Sequence, residues 1–346
     1  MTKTTSISFQ DLLDSNGLAR GLAILAVVMC HLPFAHAFWK PLGTFASAGK
    51  LAVSVFLFSS GLLLQYQSNR AGGAIRPLPW LKKRLWRIYP VYWVGVVLAV
   101  LGAWAFRGRT YDAGTLAANV LGIPLLVGKK AVSAGYTVPF WFISVLLLCY
   151  GLFLFVHRVR HKVVLVLGAG AVSAVALRTG AVMEAAALAF PSFFMGMALA
   201  DRWRNKGAAT SDARIHAAVF LPLLAALAFV FKGARFFHLD AGGAFGLDLA
   251  GCAGLTVVPW PLLFLIAAFQ KTLARFAPAA LRGLQWFSGF AFAVYCLHEP
   301  FLRVLENSTA AGHPWIGLLG YAILTLGAAW AVDAAERKWK GKKVAG

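Results

Sequence analysis

Apolar and polar positions along this chain alternate in long blocks. Largely uncharged runs fall near 18–37, 47–66, 88–106, 138–157, 162–178, 182–200, 215–231, 245–269, 284–303 and 314–332. A helix crosses a hydrocarbon core of about 30 Å in about 20 residues, so each run is of membrane-spanning size. An eleventh run at 114–127 is weaker, too short for an ordinary span, and contains Gly122 and Pro124. The pattern predicts an all-α, polytopic transmembrane helical bundle of about ten spans with no soluble domain. Residues 1–17 read as a cytoplasmic N-terminal segment, 18–332 as the transmembrane domain and 333–346 as a basic cytoplasmic tail. No internal repeat is visible.

Composition agrees with the blocks. Of the 346 residues 60% are hydrophobic and only 13% charged, against about 25% charged in soluble domains. The formal net charge of +21 comes from 33 Lys/Arg against 12 Asp/Glu. Those positives sit in short clusters between apolar runs, the pattern that orients spans, so nucleic-acid binding is set aside. Ten spans with both termini in the cytoplasm put 23 of the 33 Lys/Arg inside; counting 114–127 as a span lowers that to 14. Residues 107–137 then form an external, partly re-entrant segment. Cys30, Cys149, Cys252 and Cys296 all lie in apolar runs and form neither a disulfide framework nor a zinc spacing. Ala35-His36-Ala37 resembles a signal-peptidase site, but Lys3 stands against Asp11 and Asp14, so no positive n-region precedes it.

Four groups of residues could carry chemistry. The first is Arg20 with His31, eleven residues apart in the first run. An ionisable side chain at membrane depth is usually kept for function, the alternative being a structural hydrogen bond. The helical rise puts His31 about 16 Å from Arg20, roughly mid-bilayer. A neutral imidazole there can take a proton from a hydroxyl that attacks an acyl carbon. The second is the basic, aromatic segment Pro79 to Pro90, with Lys83, Arg84 and Arg87. Arg84 and Arg87 share a helical face. Their spacing suits bidentate phosphate recognition and equally a grip on lipid headgroups.

The third group is Phe56 to Gly61, whose Ser59 and Ser60 suit close helix packing. The fourth is Trp286 to Gly289 followed by Tyr295 and His298, one turn apart. His298 falls near the outer end of its run, where an interfacial polar contact explains it adequately. Carboxylates in or beside the runs are few: Glu184, Asp248, Glu299 and Asp333. None is spaced to His31 on one helix. The runs show no metal-ligand spacing, and no metal is expected.

These motifs, taken in order, resemble the membrane-bound acyltransferase-3 family, the bacterial O-acyltransferases of surface polysaccharides and some antibiotics. Arg20 to His31 reproduces the family's Arg/Lys-x10-His. The stretch ending Ser59-Ser60-Gly61 resembles Phe-Phe-x-x-Ser-Gly, and Arg84-Leu85-Trp86-Arg87-Ile88-Tyr89-Pro90 resembles Arg-x-x-Arg-Ile-x-Pro. Pro139-Phe140-Trp141-Phe142 resembles a middle-span Leu-Trp-Phe-Leu, and Ser288 through Tyr295 to His298 resembles the late Ser-x-x-x-Tyr-x-x-His pattern. The chain departs from the family at Gly17, where an Asp is common, at Ala52-Val53-Ser54 for Gly-Val-Asp, and at Val145 for a Glu.

The resemblance implies transfer of an acyl group, most often acetyl, from cytoplasmic acyl-CoA to a hydroxyl of a surface glycan or lipid-linked saccharide, in the bacterial inner membrane. His31, with Arg20, would be catalytic. Arg84, Arg87 and Lys83 would hold the phosphates of acetyl-CoA. Tyr295, His298, Trp141 and Ser60 would contact the acceptor. The expected partners are thus the acyl-CoA donor, the glycan acceptor and membrane lipid. The rival class is a transporter or flippase of glycolipid or anion, against which stands the missing repeat between halves. A purely structural membrane subunit would leave the Arg20/His31 and Arg84/Arg87 pairs without a reason.

Overall fold

The computed structural model describes residues 6–31, 46–128, 139–204, 210–228, 230, 243–306 and 314–342. In chain order the elements are β1 (Ser6–Ser8), α1 (Phe9–His31), α2 (Ala46–Arg70), α3 (Pro77–Arg107), α4 (Ala113–Val120), α5 (Pro124–Val127) and α6 (Trp141–Val156). They continue as α7 (Lys162–Thr179), α8 (Glu184–Ala189), α9 (Pro191–Arg204), β2 (Thr210–Asp212), α10 (Ala213–Ala228), α11 (Gly243–Val257), α12 (Pro259–Phe276), α13 (Pro278–Glu306) and α14 (Pro314–Lys342).

Among the described residues the fold is all-α apart from one two-stranded antiparallel ribbon, in which Ile7 of β1 pairs with Ser211 of β2. Each apolar run coincides with a helix or a helix pair: 182–200 with α8 and α9, 245–269 with α11 and α12. Among the described residues, Phe9–His31, Gly49–Arg70, Pro77–Phe106, Lys162–Thr179 and Gly246–Phe276 are long and apolar enough to cross a membrane; Trp141–Val156, Arg214–Ala228 and Leu319–Ala335 are shorter apolar helices. Residues 32–37 of the first run, 138 of the fourth, and 229 and 231 of the seventh lie outside the described residues, as does Ala35-His36-Ala37.

The chain divides into two compact units. Of the described residues, the first takes in 6–30, 46–75 and 151–289, and the second takes in 31, 76–150 and 290–342. In the first unit glycines bring α2 and α9 into backbone contact. A Cβ on Gly61 would collide with the Phe193 carbonyl, and one on Gly196 with the Phe58 carbonyl. Lipid supplies no hydrophobic force between helices, so close approach of small residues supplies the packing instead. Buried Leu188, Leu227, Cys252, Leu255 and Val258 form a core in this unit. The Ala-rich region 164–200 splits in two: α7 shows most of its apolar face, while Ala186, Ala187 and Ala189 of α8 are buried.

A polar knot also closes the first unit. The Gln65 amide donates to Asp201 (3.0 Å) and to the His157 carbonyl (3.2 Å), and Asn69 donates to Asp201 (2.8 Å). Lys162, only 4% exposed, donates to the His157 carbonyl at 2.8 Å and lies 3.5 Å from Asp201. A buried ammonium is tolerable only with such partners.

In the second unit, residues 113–127 form no eleventh span. They make two short helices, α4 and α5, separated at Gly122 with φ 71°. Asp112 caps α4 by accepting from the Thr115 hydroxyl (2.6 Å) and amide (2.9 Å), bonds that hold its carboxyl below the usual carboxylate range. The other end of α4 is capped by three side chains of α3. Tyr89 donates to the Leu121 carbonyl (2.6 Å), Trp93 to Val120 (2.9 Å) and Tyr92 to Asn119. Arg107, the last residue of α3, lies about 27 Å along that helix from Tyr89. The chain therefore turns after α3 and runs back beside it, as a re-entrant segment does. Irregular backbone away from water must find protein partners, and these donors provide them.

Candidate functional site

The site assembles in the second unit at α13. Pro300 has no N–H, so it leaves the Cys296 carbonyl, four residues back, without its helical donor. Gly95 of α3 meets that carbonyl: a Cβ there would stand 2.6 Å from the Cys296 oxygen. The helix also bends at Phe290, with φ −116° and ψ 15°. Between bend and proline, Tyr295 donates its hydroxyl to the Pro139 carbonyl and packs edge-on against Phe142 at 5.4 Å. This ties the start of α6, with buried Trp141, to α13.

One turn on, His298 and Glu299 are both 0% exposed. His31, the last residue of α1, meets them. Its Nδ1 lies 3.1 Å from Glu299 Oε2, close as an ion pair though bent as a hydrogen bond. Its ring stands edge-on to His298 with centroids 5.1 Å apart. The His31 side chain is 33% exposed, so the cluster is open on one side. One donor atom from each of the three residues falls within 4.8 Å of the others, which makes this a group able to hold a metal ion.

His298 Nδ1 lies 2.7 Å from the Tyr295 carbonyl. A carbonyl only accepts, so Nδ1 carries the proton and Nε2 the lone pair. That Nε2 is buried and has no hydrogen-bond partner among the described residues.

The structure thus brings together His31, His298 and Tyr295 (Tyr295 to His298, 5.9 Å). It adds Glu299, which the spacing search passed over because its partner comes from another helix. The signal available was an adjacent His298-Glu299 pair inside an apolar run, followed by Pro300. His298 is fully buried, and α13 runs on to Glu306, about 12 Å beyond it.

The remaining candidates lie elsewhere. Arg20 belongs to the first unit, its guanidinium 5.6 Å from the Phe56 ring centre. Ser60 is buried on α2 in the same unit, beside the Gly61 contact with Phe193. Arg84, Arg87 and Lys83 fall in the first turns of α3 in the second unit. Arg87 and Lys83 are exposed, while Arg84 is half-buried, 5.5 Å from the Trp80 ring, which packs on Tyr150.

A family model described as an acyltransferase domain matches residues 14–334. Comparison with curated proteins gives no match. Comparison with solved structures also gives none.

Proposed function

Since the chain belongs to this acyltransferase-3 family, and is a membrane acyltransferase built from multiple apolar helices, we propose that it moves an acyl group, acetyl in the first instance, from cytoplasmic acyl-CoA to a hydroxyl of a surface glycan or lipid-linked glycan precursor. The observation that carries the reading is the meeting of His31 with the fully buried Glu299. In this reading Glu299 faces Nδ1 of His31 and holds its proton there, leaving Nε2 to act as general base. The base takes the acceptor hydroxyl proton as that oxygen bonds to the thioester carbonyl carbon. Collapse of the tetrahedral adduct breaks the carbon–sulfur bond, and the imidazolium returns its proton to the leaving coenzyme A sulfur. Glu299 stabilises the imidazolium between the two transfers.

Exposed Arg87 and Lys83, with Arg84 beside Trp80, stand at the N-terminal end of α3. A helix N-terminus also favours anions, so this end suits the donor's phosphates. The Lys/Arg bias favours both chain ends on the cytoplasmic side, and the family resemblance suits a bacterial inner membrane. The test is release of coenzyme A thiol by the purified protein offered acetyl-CoA and candidate saccharide acceptors. Acceptor-dependent release that vanishes in His31→Ala is the expected result. Equal release from the parent and His31→Ala would refute the assignment.

A further inference from the structure

The unpartnered Nε2 of His298 is a buried lone pair that the proposed transfer does not use. It shares the cluster with the Glu299 carboxylate and a His31 nitrogen, all within 4.8 Å of one another. Two imidazoles and one carboxylate around an open side are a known donor set for zinc. Zinc bonds of about 2.0–2.2 Å put ligand atoms about 3.3–3.5 Å apart. The 3.1 Å separation of His31 Nδ1 and Glu299 Oε2 is already near that edge, and the widest separation in the set needs an adjustment of about an ångström. His298 is oriented as metal-bound histidines are, with its other nitrogen donating to a backbone carbonyl, here Tyr295 at 2.7 Å.

We propose that His31, His298 and Glu299 form a site for one divalent transition-metal ion of the zinc class, and that filling it inhibits acyl transfer. The inhibitory half rests on the reading of His31 and Glu299 as the base pair. Coordination through His31 Nδ1 leaves that ring's proton on Nε2, so the ion abolishes the Nε2 lone pair that would take the hydroxyl proton and occupies the Glu299 carboxylate, while the 33% exposed side of His31 gives it a way in. Removing the ion with a chelator returns those atoms to the reaction.

The full chain, purified in detergent and stripped with chelator, is titrated with Co2+ and separately with Zn2+. One equivalent giving the visible absorption of four-coordinate cobalt is expected. His298→Ala should weaken retention of Zn2+ after dialysis by about 100-fold or more, beyond the loss seen when only an outer partner is removed. His298→Cys should keep the metal and add a sulfur-to-cobalt charge-transfer band. That band would also show that the altered protein folds around the site. Zn2+ should abolish coenzyme A release by the parent, with recovery on chelation. Absence of the four-coordinate spectrum, or equal zinc retention in parent and His298→Ala, overturns the site and leaves the acyl-transfer reading standing. One bound equivalent with undiminished transfer overturns the inhibitory half, and with it His31 as the base.

Discussion

Replacing Glu299 by Gln removes one charge and almost no volume, and so isolates what the carboxylate does for His31. Two unit charges 3.1 Å apart at an effective dielectric constant of about 20 attract by about 5 kcal/mol. His31 is 33% exposed, so water screens part of this, leaving about 3–4 kcal/mol. Each 1.36 kcal/mol is a factor of ten in rate, so the single-turnover rate should fall about 10²- to 10³-fold. The donor KM should hold, because the carboxylate acts on the imidazolium formed in the transition state and not on bound acyl-CoA. Glu299→Asp keeps the charge but withdraws it by one methylene, and should retain more activity than Gln. The assay is thiol release with enzyme in excess over acetyl-CoA, on variants matched to the parent in size-exclusion profile and melting temperature. A Gln variant within threefold of the parent rate would refute the pairing as a catalytic one.

Arg84→Ala and Arg87→Ala should each raise the donor KM more than the acceptor KM, and Lys at either position should rescue only in part, since an ammonium lacks the guanidinium fork. Unchanged coenzyme A binding in both Ala variants, by calorimetry, would return the pair to lipid anchoring. Tyr92→Phe removes one of two donors to the Asn119 carbonyl, which keeps the Gly122 N–H at 3.0 Å, and should lower thermal stability by about 0.5–1.5 kcal/mol; an unchanged melting curve would mean this segment is held otherwise. Gly95→Ala drives a methyl into the Cys296 carbonyl. It should lower stability by about 1–3 kcal/mol and depress turnover with it, by shifting the turn that carries His298 and Glu299. Full activity in that variant would separate α3 packing from the site.

The apolar helices were legible because a bilayer imposes one demand on every crossing segment, and block hydropathy records it directly. The segment that returns beside α3 was half legible. Gly122 and Pro124 announced a break, but the donors that allow it, Tyr89, Tyr92 and Trp93, look in sequence like an interfacial aromatic belt. His31 was legible because an imidazole is conspicuous in an apolar run. Its carboxylate was not, because helical spacing reports neighbours on one helix only, while Glu299 arrives from α13 near the other end of the chain. Tertiary packing alone makes that pair. The same limit explains why three metal-competent donors escaped a search for ligand spacings. Ser59-Ser60-Gly61 suits close helix packing in sequence, and the contact of Gly61 with Phe193 accords with that.

Glu299 and His298, both wholly buried, set a last problem. A carboxylate out of water loses several kcal/mol of solvation that one neighbour seldom restores, and buried ion pairs are often matched or surpassed in stability by apolar side chains of similar size. The turn that carries them is also weakened, since Pro300 takes away a hydrogen bond. A sequence selected for stability alone would place neither feature there. The triple variant His31→Leu, His298→Leu, Glu299→Met should therefore fold, with a melting temperature equal to or above the parent's, while losing all acyl transfer. The single variant His31→Leu removes the imidazole 3.1 Å from the buried Glu299 carboxylate, and should be less stable than the triple by about 3–5 kcal/mol. Detergent melts of the three proteins decide it. If the triple variant melts as low as His31→Leu, the cluster holds the helices together, and its chemistry would no longer be needed to explain why it is there.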